Sequence, residues 1–423
     1  MIKDNDTYSV ADYVVIYLLI AVSGIPFFLF GATGIFCSIA IIFVLIIYLL
    51  LNSRLVISNR TMSFVGIYLL VFVLIFFIQS LECGFFPTLS FSKYLTQLLM
   101  AALALIVIGQ NFFKLYIKTI YVLGIISLTI HVLTFIVPPF FDFLINVVVP
   151  HIPNQPDDSV QIFHNYHIII HDFWQRDLFR NSGPFWEPGA NAGFTLIALL
   201  FNVYVFNQKL STKVNLLFIC VILSTLSTAG YVVLTLILFL NPQYNKNFML
   251  RIFSVIFFFI IASWAFATFD FIGVKVLQQI DNTDVGDAHS SRFASARLDY
   301  ETFLRHPLGF SMRDYRKGVK ADDDFRTNGV FIFLTAAGVI AFFSYFILVY
   351  IGMKKTVKFF NPSGNAALIS IYFIIILLFL GFSENFFERP LFMAFSMLIP
   401  YFNTLKAKRH YVAQVFELNL AEN

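Results

Sequence analysis

Apolar runs of about twenty residues recur from one end of this chain to the other. A helix needs a run of about that length to cross the roughly 30 Å hydrocarbon core of a bilayer. The runs lie at about 12–30, 32–51, 62–80, 94–113 and 119–139, then at about 190–206, 213–226, 228–240 and 252–269. The last three lie at about 329–351, 365–383 and 390–405. In hydrocarbon only helices and closed barrels satisfy every backbone N–H and C=O. These runs are far longer than the ~10-residue alternating strands of a barrel. Composition agrees, with 12% charged residues, 59% hydrophobic residues and 55 Phe in 423 positions, against about 25% charge in an ordinary soluble domain. The chain is expected to be an all-α polytopic membrane protein, one integral membrane domain over residues 1–423 with about twelve transmembrane helices. The 213–240 region is read as two spans, because STLSTAG at 224–230 marks a break or tight re-entry.

Basic residues then orient the spans. With both termini in the cytoplasm, fifteen Lys and Arg fall in short inner segments and two, Lys93 and Arg389, in short outer ones. The other eleven lie in two long loops, about 140–189 and 270–328, which the positive-inside rule largely exempts. A single span over 213–240 would put the C-terminal basic clusters outside. Both long loops are thus expected on the outer face, where only they are polar and large enough to build a site. The three cysteines (Cys37, Cys83, Cys220) offer neither a disulfide framework nor metal spacing. The start, MIKDNDTYSVAD, is acidic and runs straight into an apolar segment, so no cleaved signal peptide is expected.

The first loop ends in RNSGPFWEPG, residues 180–189. Arg180 is a permanently charged fork suited to phosphate. Gly183 and Pro184 set a turn, and Glu187-Pro188 reads as a helix start. The plain alternative is a helix cap beside an Arg that reaches to lipid headgroups. The second loop carries SSRFASARLDYETFLRHPLG, residues 290–309. Its pattern predicts a short amphipathic helix on the membrane, stopped by Pro307 and Gly309, with binding of anionic lipid as the plain alternative. Asn328-Gly329 opens the next span. His164, His167 and His171 share one face of a helix, which is expected to be interfacial rather than metal-binding. Asp322-Asp323-Asp324 is expected as a solvated acidic turn, and His131 as a packed interior residue; no metal site is expected.

In order along the chain, R-x-x-G-x-F-x-E-P, S-T-x-x-S/T, R-x4-R-x9-P-L-G and T-N-G resemble the O-antigen polymerase and ligase superfamily, over about residues 175–345. The resemblance implies a GT-C-like membrane glycosyltransferase with two long periplasmic loops in the bacterial inner membrane. It implies an undecaprenyl-pyrophosphate-linked oligosaccharide as substrate, a chain-length regulator as a partner, and neither cofactor nor nucleic acid. Ligases of this family carry a catalytic His before the Asn of the last motif. Thr327 stands there in this chain, which points to polymerase over ligase and leaves the base unassigned.

Attack of a sugar hydroxyl on the anomeric carbon expels a lipid pyrophosphate, and arginines can neutralise the negative charge that develops. Arg180, Arg292 and Arg297 are therefore expected at the pyrophosphate, with Gly183 and Asn328 in support. Glu187, Asp299, Glu301 and His306 are candidates for activating the acceptor hydroxyl. The competing readings are the ligase, which moves finished glycan to the lipid A core, and a lipid-linked oligosaccharide flippase. Against the flippase stand the absence of a convincing internal repeat and the concentration of charge in two loops rather than within spans.

Overall fold

A computed structural model describes residues 9–29, 31–51, 59–84, 88–143, 163–166, 169–172, 180–239, 291–310 and 328–398, with a few single positions besides. Its first helices are α1 (Val10–Gly24), α2 (Pro26–Leu29), α3 (Gly31–Leu51), α4 (Asn59–Cys83), α5 (Thr88–Ile108), α6 (Phe112–Ile136) and α7 (Pro138–Phe143). Strands β1 (Phe163–Tyr166), β2 (Ile169–Asp172) and β3 (Arg180–Gly183) follow. Next come α8 (Pro188–Leu200), α9 (Lys213–Ser224), α10 (Thr228–Phe239), α11 (Arg292–Arg305), α12 (Gly329–Phe360), α13 (Ala366–Ser383) and α14 (Pro390–Ser396).

Six helices among the described residues are long and apolar enough to cross a membrane: Thr61–Glu82, Ser90–Ile108, Phe112–Thr134, Pro188–Val205, Gly329–Phe360 and Ala366–Ser383. This corrects the expected twelve transmembrane helices and the GT-C-like architecture tied to them. The apolar stretches Val10–Gly24, Phe36–Leu50, Lys213–Ser224 and Thr228–Phe239 are shorter. Hydropathy measures how apolar a window is, whereas backbone geometry decides where a helix stops. α1 ends at Ile25, which is extended and precedes Pro26. The break read at 224–230 is present, with Leu226 at φ 49°. Each flanking helix then has 12 residues, about 18 Å of rise, too little for a full span. The run expected at 252–269 falls outside the described residues apart from single positions, as does the part of 390–405 beyond Leu398.

The segment is also not all helix. β1, β2 and β3 form an antiparallel sheet in that order. The expected histidine helix is a hairpin instead, with His164 paired to His171 across β1 and β2. His167 lies outside the described residues, as do Asp322–Asp324 and Thr327. A row of β-branched Ile168-Ile169-Ile170 favours a strand as readily as a helix face.

α8 is the staff of the bundle, with 94% of its span buried. Its first turns read PGANAG because neighbours press on them from several sides. A Cβ at Gly193 would stand 2.4 Å from Phe386 Cζ, and one at Gly230 of α10 would stand 2.9 Å from Ala192 Cβ. Small residues let helices approach closely where lipid gives no hydrophobic drive to associate. Side chains from other elements satisfy its backbone, as Tyr116 donates to Phe194 O at 2.8 Å and Asn361 to Tyr204 O at 3.1 Å. Asn202 donates to Asn215 at 2.8 Å.

Candidate functional site

β3, which begins the first motif, is wholly buried. Its hub is Asn181, whose Oδ1 accepts from Ser127 Oγ of α6 and from Gly183 N at 3.0 Å. Asn181 Nδ2 donates to Ser224 Oγ at 2.9 Å, and its carbonyl accepts from Asn191 Nδ2 of α8 at 3.1 Å. Gly183 sits at φ 55° where a Cβ would press on Asn191 and Ser127 at 3.1 Å, so glycine is needed twice over. Arg180 is 5% exposed. It donates from Nε to Thr225 O at 3.2 Å and from Nη2 to Leu226 O at 3.3 Å. Those carbonyls lie in the break after α9, so Arg180 ties the strand to that break. The family-like S-T motif and Arg180 are thus one structural unit.

The second half of that motif faces elsewhere. Glu187 is the N-cap of α8 and Pro188 its first residue, as read, but the Glu187 side chain makes no capping bond. It accepts from Trp186 Nε1 at 3.1 Å instead. The carboxylate lying over this helix start is Glu384, whose Oε1 would be 2.2 Å from a Cβ at Gly189. Arg292 of α11 joins them, with Nε donating to Ser383 O at 3.0 Å and Nη2 at 3.7 Å from Glu384 Oε1. Burial pulls the Arg292 guanidinium below the ordinary arginine range, and the nearby Glu187 charge opposes that shift. Asn328 caps α12 by accepting from Phe331 N at 3.2 Å. Its Nδ2 is buried without a hydrogen-bond partner. A Cβ at Gly329 would stand 2.2 Å from Glu384 O. Gly189, Arg292 and Gly329, each from or beside a different motif, therefore meet on Ser383-Glu384-Asn385.

α11 is the helix expected over the second loop, capped by Ser291 Oγ accepting from Ala294 N. Its inner face buries Ser295, Asp299 and Thr302. Thr335 Oγ1 of α12 donates to Asp299 O at 2.8 Å. Asp299 is fully buried. Arg297 and Glu301 lie on the outer face in an i,i+4 pair at 3.2 Å, 58% and 41% exposed. Phe293, Tyr300 and Leu304 are exposed beside them, the apolar side of an interfacial helix. His306 stacks on Phe310 and contacts Glu82 Oε1 through Nδ1 at 3.2 Å. The three arginines do not converge: only Arg292 stands at the α8 start.

Pro307-Leu308-Gly309 has a structural task. Gly338 interrupts α12 at φ 79°, and the turn fits that break. Phe310 N donates to Thr335 O at 2.7 Å and Val339 N to Pro307 O at 2.9 Å. Gln79 of α4 donates to Leu308 O at 3.2 Å and Ala336 O at 3.1 Å. The backbone groups freed by the break are thus re-satisfied within the protein, as hydrocarbon requires.

The link between α13 and α14 went unread in the sequence. In SENFFERP, residues 383–390, two acids and an arginine stand between apolar helices, and that density of charge was the available signal. Glu388 accepts from Lys93 Nζ at 3.1 Å and from Tyr94 OH. Burial alone would raise its pKa; Lys93, Tyr94 and Arg389 together more than reverse this and hold it at about 2. The Arg389 guanidinium lies over the Trp186 ring at 5.2 Å. Two polar clusters thus lie near one another: Lys93, Tyr94 and Glu388 with Arg389 over Trp186, and Arg292 with Glu384, close enough for Glu187 to act on Arg292 through its charge. Together they combine cations able to hold an oxyanion with carboxylates able to take a proton. No protein-family model matches the chain, and no curated protein matches it either.

Proposed function

We propose that this chain is a surface-polysaccharide polymerase. In this reading it works at the periplasmic face of a bacterial inner membrane, with both termini in the cytoplasm. It moves a growing glycan from undecaprenyl pyrophosphate onto the next lipid-linked repeat unit. The supporting observation is that Arg292 and N-G, two separate parts of the family-like pattern, meet Gly189, the residue after its E-P, on one loop. Arg292 and the α8 start hold the pyrophosphate, since backbone N–H groups and the helix dipole favour an anion there. The acceptor hydroxyl oxygen bonds to the anomeric carbon as the carbon–oxygen bond to pyrophosphate breaks. The electron pair leaves on pyrophosphate, and Glu187, partly exposed beside Arg292, takes the hydroxyl proton. Arg180 supports this geometry from the α9–α10 break.

A transport reading draws on the break at Gly338, since transporters use discontinuous helices near mid-membrane. The backbone groups freed at that break are bonded by the chain's own Pro307–Phe310 turn and by Gln79 rather than left for a substrate or ion, which favours transfer. The test is a gel of surface polysaccharide from a deletion strain complemented with wild type or Arg292→Ala. Long chains with wild type and a single-repeat product with Arg292→Ala are expected. Full-length polymer held on the carrier in the deletion strain would indicate the ligase. Repeat units trapped facing the cytoplasm would indicate the flippase.

A further inference from the structure

A protein carboxylate, Glu384, lies against Gly189 in the first turn of α8. Glu187 leaves the helix N-terminus uncapped by side chain. Gly189, in the first turn, has no Cβ, and Glu384 Oε1 stands where that atom would crowd it. Arg292 approaches from α11. The Glu384 side chain is only 5% exposed, yet its described contacts are long: Ser383 Oγ at 3.4 Å and Arg292 Nη2 at 3.7 Å. Charge-assisted hydrogen bonds are about 2.7–2.9 Å. A buried carboxylate is expected to have close partners, and this one is seated without tight ones. Beside it, Asn328 has a buried Nδ2 without a partner, and Asn385 a buried Oδ1 likewise.

We infer that Glu384 is an exchangeable counter-ion, a stand-in for a phosphate group that displaces it from Arg292 and the α8 start. A tetrahedral phosphate offers several oxygens to Arg292 and to the N–H groups of the α8 start, whereas Glu384 meets Arg292 with one oxygen at 3.7 Å. Displacement would give the ligand the Arg292 Nη2 that now faces Glu384, with Nε still donating to Ser383 O. The identity of the ligand as a lipid pyrophosphate rests on the proposed polymerase reading; the seat itself does not.

The experiment measures binding of farnesyl pyrophosphate to the purified full chain in detergent, for wild type, Glu384→Gln and Arg292→Gln, with phosphatidic acid as a second probe. Removing the competing charge is expected to tighten farnesyl pyrophosphate binding by about tenfold, and Arg292→Gln to abolish it. Tightening for both probes would assign the seat to phosphate headgroups generally, and for the first alone to isoprenoid pyrophosphates. Equal or weaker binding by Glu384→Gln would overturn the inference. A second comparison covers a variant that folds poorly. Gly189→Ala should lower the thermal midpoint in the wild-type background and be tolerated beside Glu384→Ala, where the seat is empty. Equal loss in both backgrounds would show that the carboxylate is not seated at Gly189. If Glu384→Gln binds more tightly while the deletion strain still makes full-length chains, the seat stands and the polymerase reading falls. A single-repeat phenotype in the deletion strain without tighter binding by Glu384→Gln gives the reverse.

Discussion

Glu384 and Glu388 lie four residues apart in one short link, both are buried and both face a basic side chain, but the two pairs are built differently. Glu388 meets Lys93 at 3.1 Å, takes a second bond from the Tyr94 hydroxyl and is held at a pKa of about 2. Glu384 meets Arg292 at 3.7 Å and, among the described residues, its carboxylate has only the long Ser383 contact besides. Close, multiply bonded pairs inside a protein are costly to break from one side, because the remaining charge is left buried. Loose ones give up little when a ligand replaces one member. The first pair therefore fastens α5 to the link before α14, and the second leaves a place for exchange.

The strongest way to break this comparison is to neutralise each acid in turn. Glu388→Ala should cost roughly 3–5 kcal/mol by removing the buried anion that Lys93, Tyr94 and Arg389 all face, read as a large fall in thermal midpoint or loss of folded protein. Glu384→Gln should fall far less. Equal losses would mean that both pairs are structural. Acid sharpens the same contrast. The folded pKa of Glu388 lies below its ordinary 4.5, so its contribution is complete above about 4.5 and is lost as pH falls towards 2. Wild type should lose stability across that window, and Glu388→Gln should show a flatter dependence there in a pH series of melts.

Much of this arrangement was legible in the chain. The apolar runs announced a helical membrane protein, the STLSTAG break lies where it was read, and Ser291, Pro307 and Gly309 bracket α11. Pro188 and Asn328-Gly329 open helices as their chemistry requires. The number of spans was not legible, because hydropathy runs on through places where the backbone stops a helix, at Ile25-Pro26 and at Leu226. The roles of the arginines were also hidden. Arg180 and Arg292 are the same residue type in similar motifs, and only tertiary placement sends one to backbone carbonyls and the other to the α8 start. The histidine row fitted two periods, and pairing with β3 selected the strand.

A smaller effect is expected where the second motif meets α12. Gly338→Ala would force an L side chain to φ 79° and place its Cβ 2.2 Å from the Leu308 carbonyl, a backbone atom that cannot swing away. Left-handed strain alone is about 1–3 kcal/mol. The variant should melt lower and expose the Gly309, Phe310 and Val339 amides to faster hydrogen exchange. Unchanged exchange would detach this turn from the break in α12, and with it the argument that the freed backbone groups are bonded within the chain.

The smallest effect belongs to Arg297, and it tests how far the contrast between buried and exposed groups extends. Its pair with Glu301 is well exposed on the outer face of α11, and exposed i,i+4 pairs contribute only about 0.3–0.5 kcal/mol. Arg297→Ala should leave the melt within that margin and the polysaccharide ladder unchanged, whereas Arg292→Ala, one turn earlier on the face towards Glu384, should not. A single-repeat product from a fully folded Arg297→Ala protein would place the outer face of α11 in contact with substrate. The loose pair at Glu384 would then be one edge of a wider anion-binding surface rather than its centre.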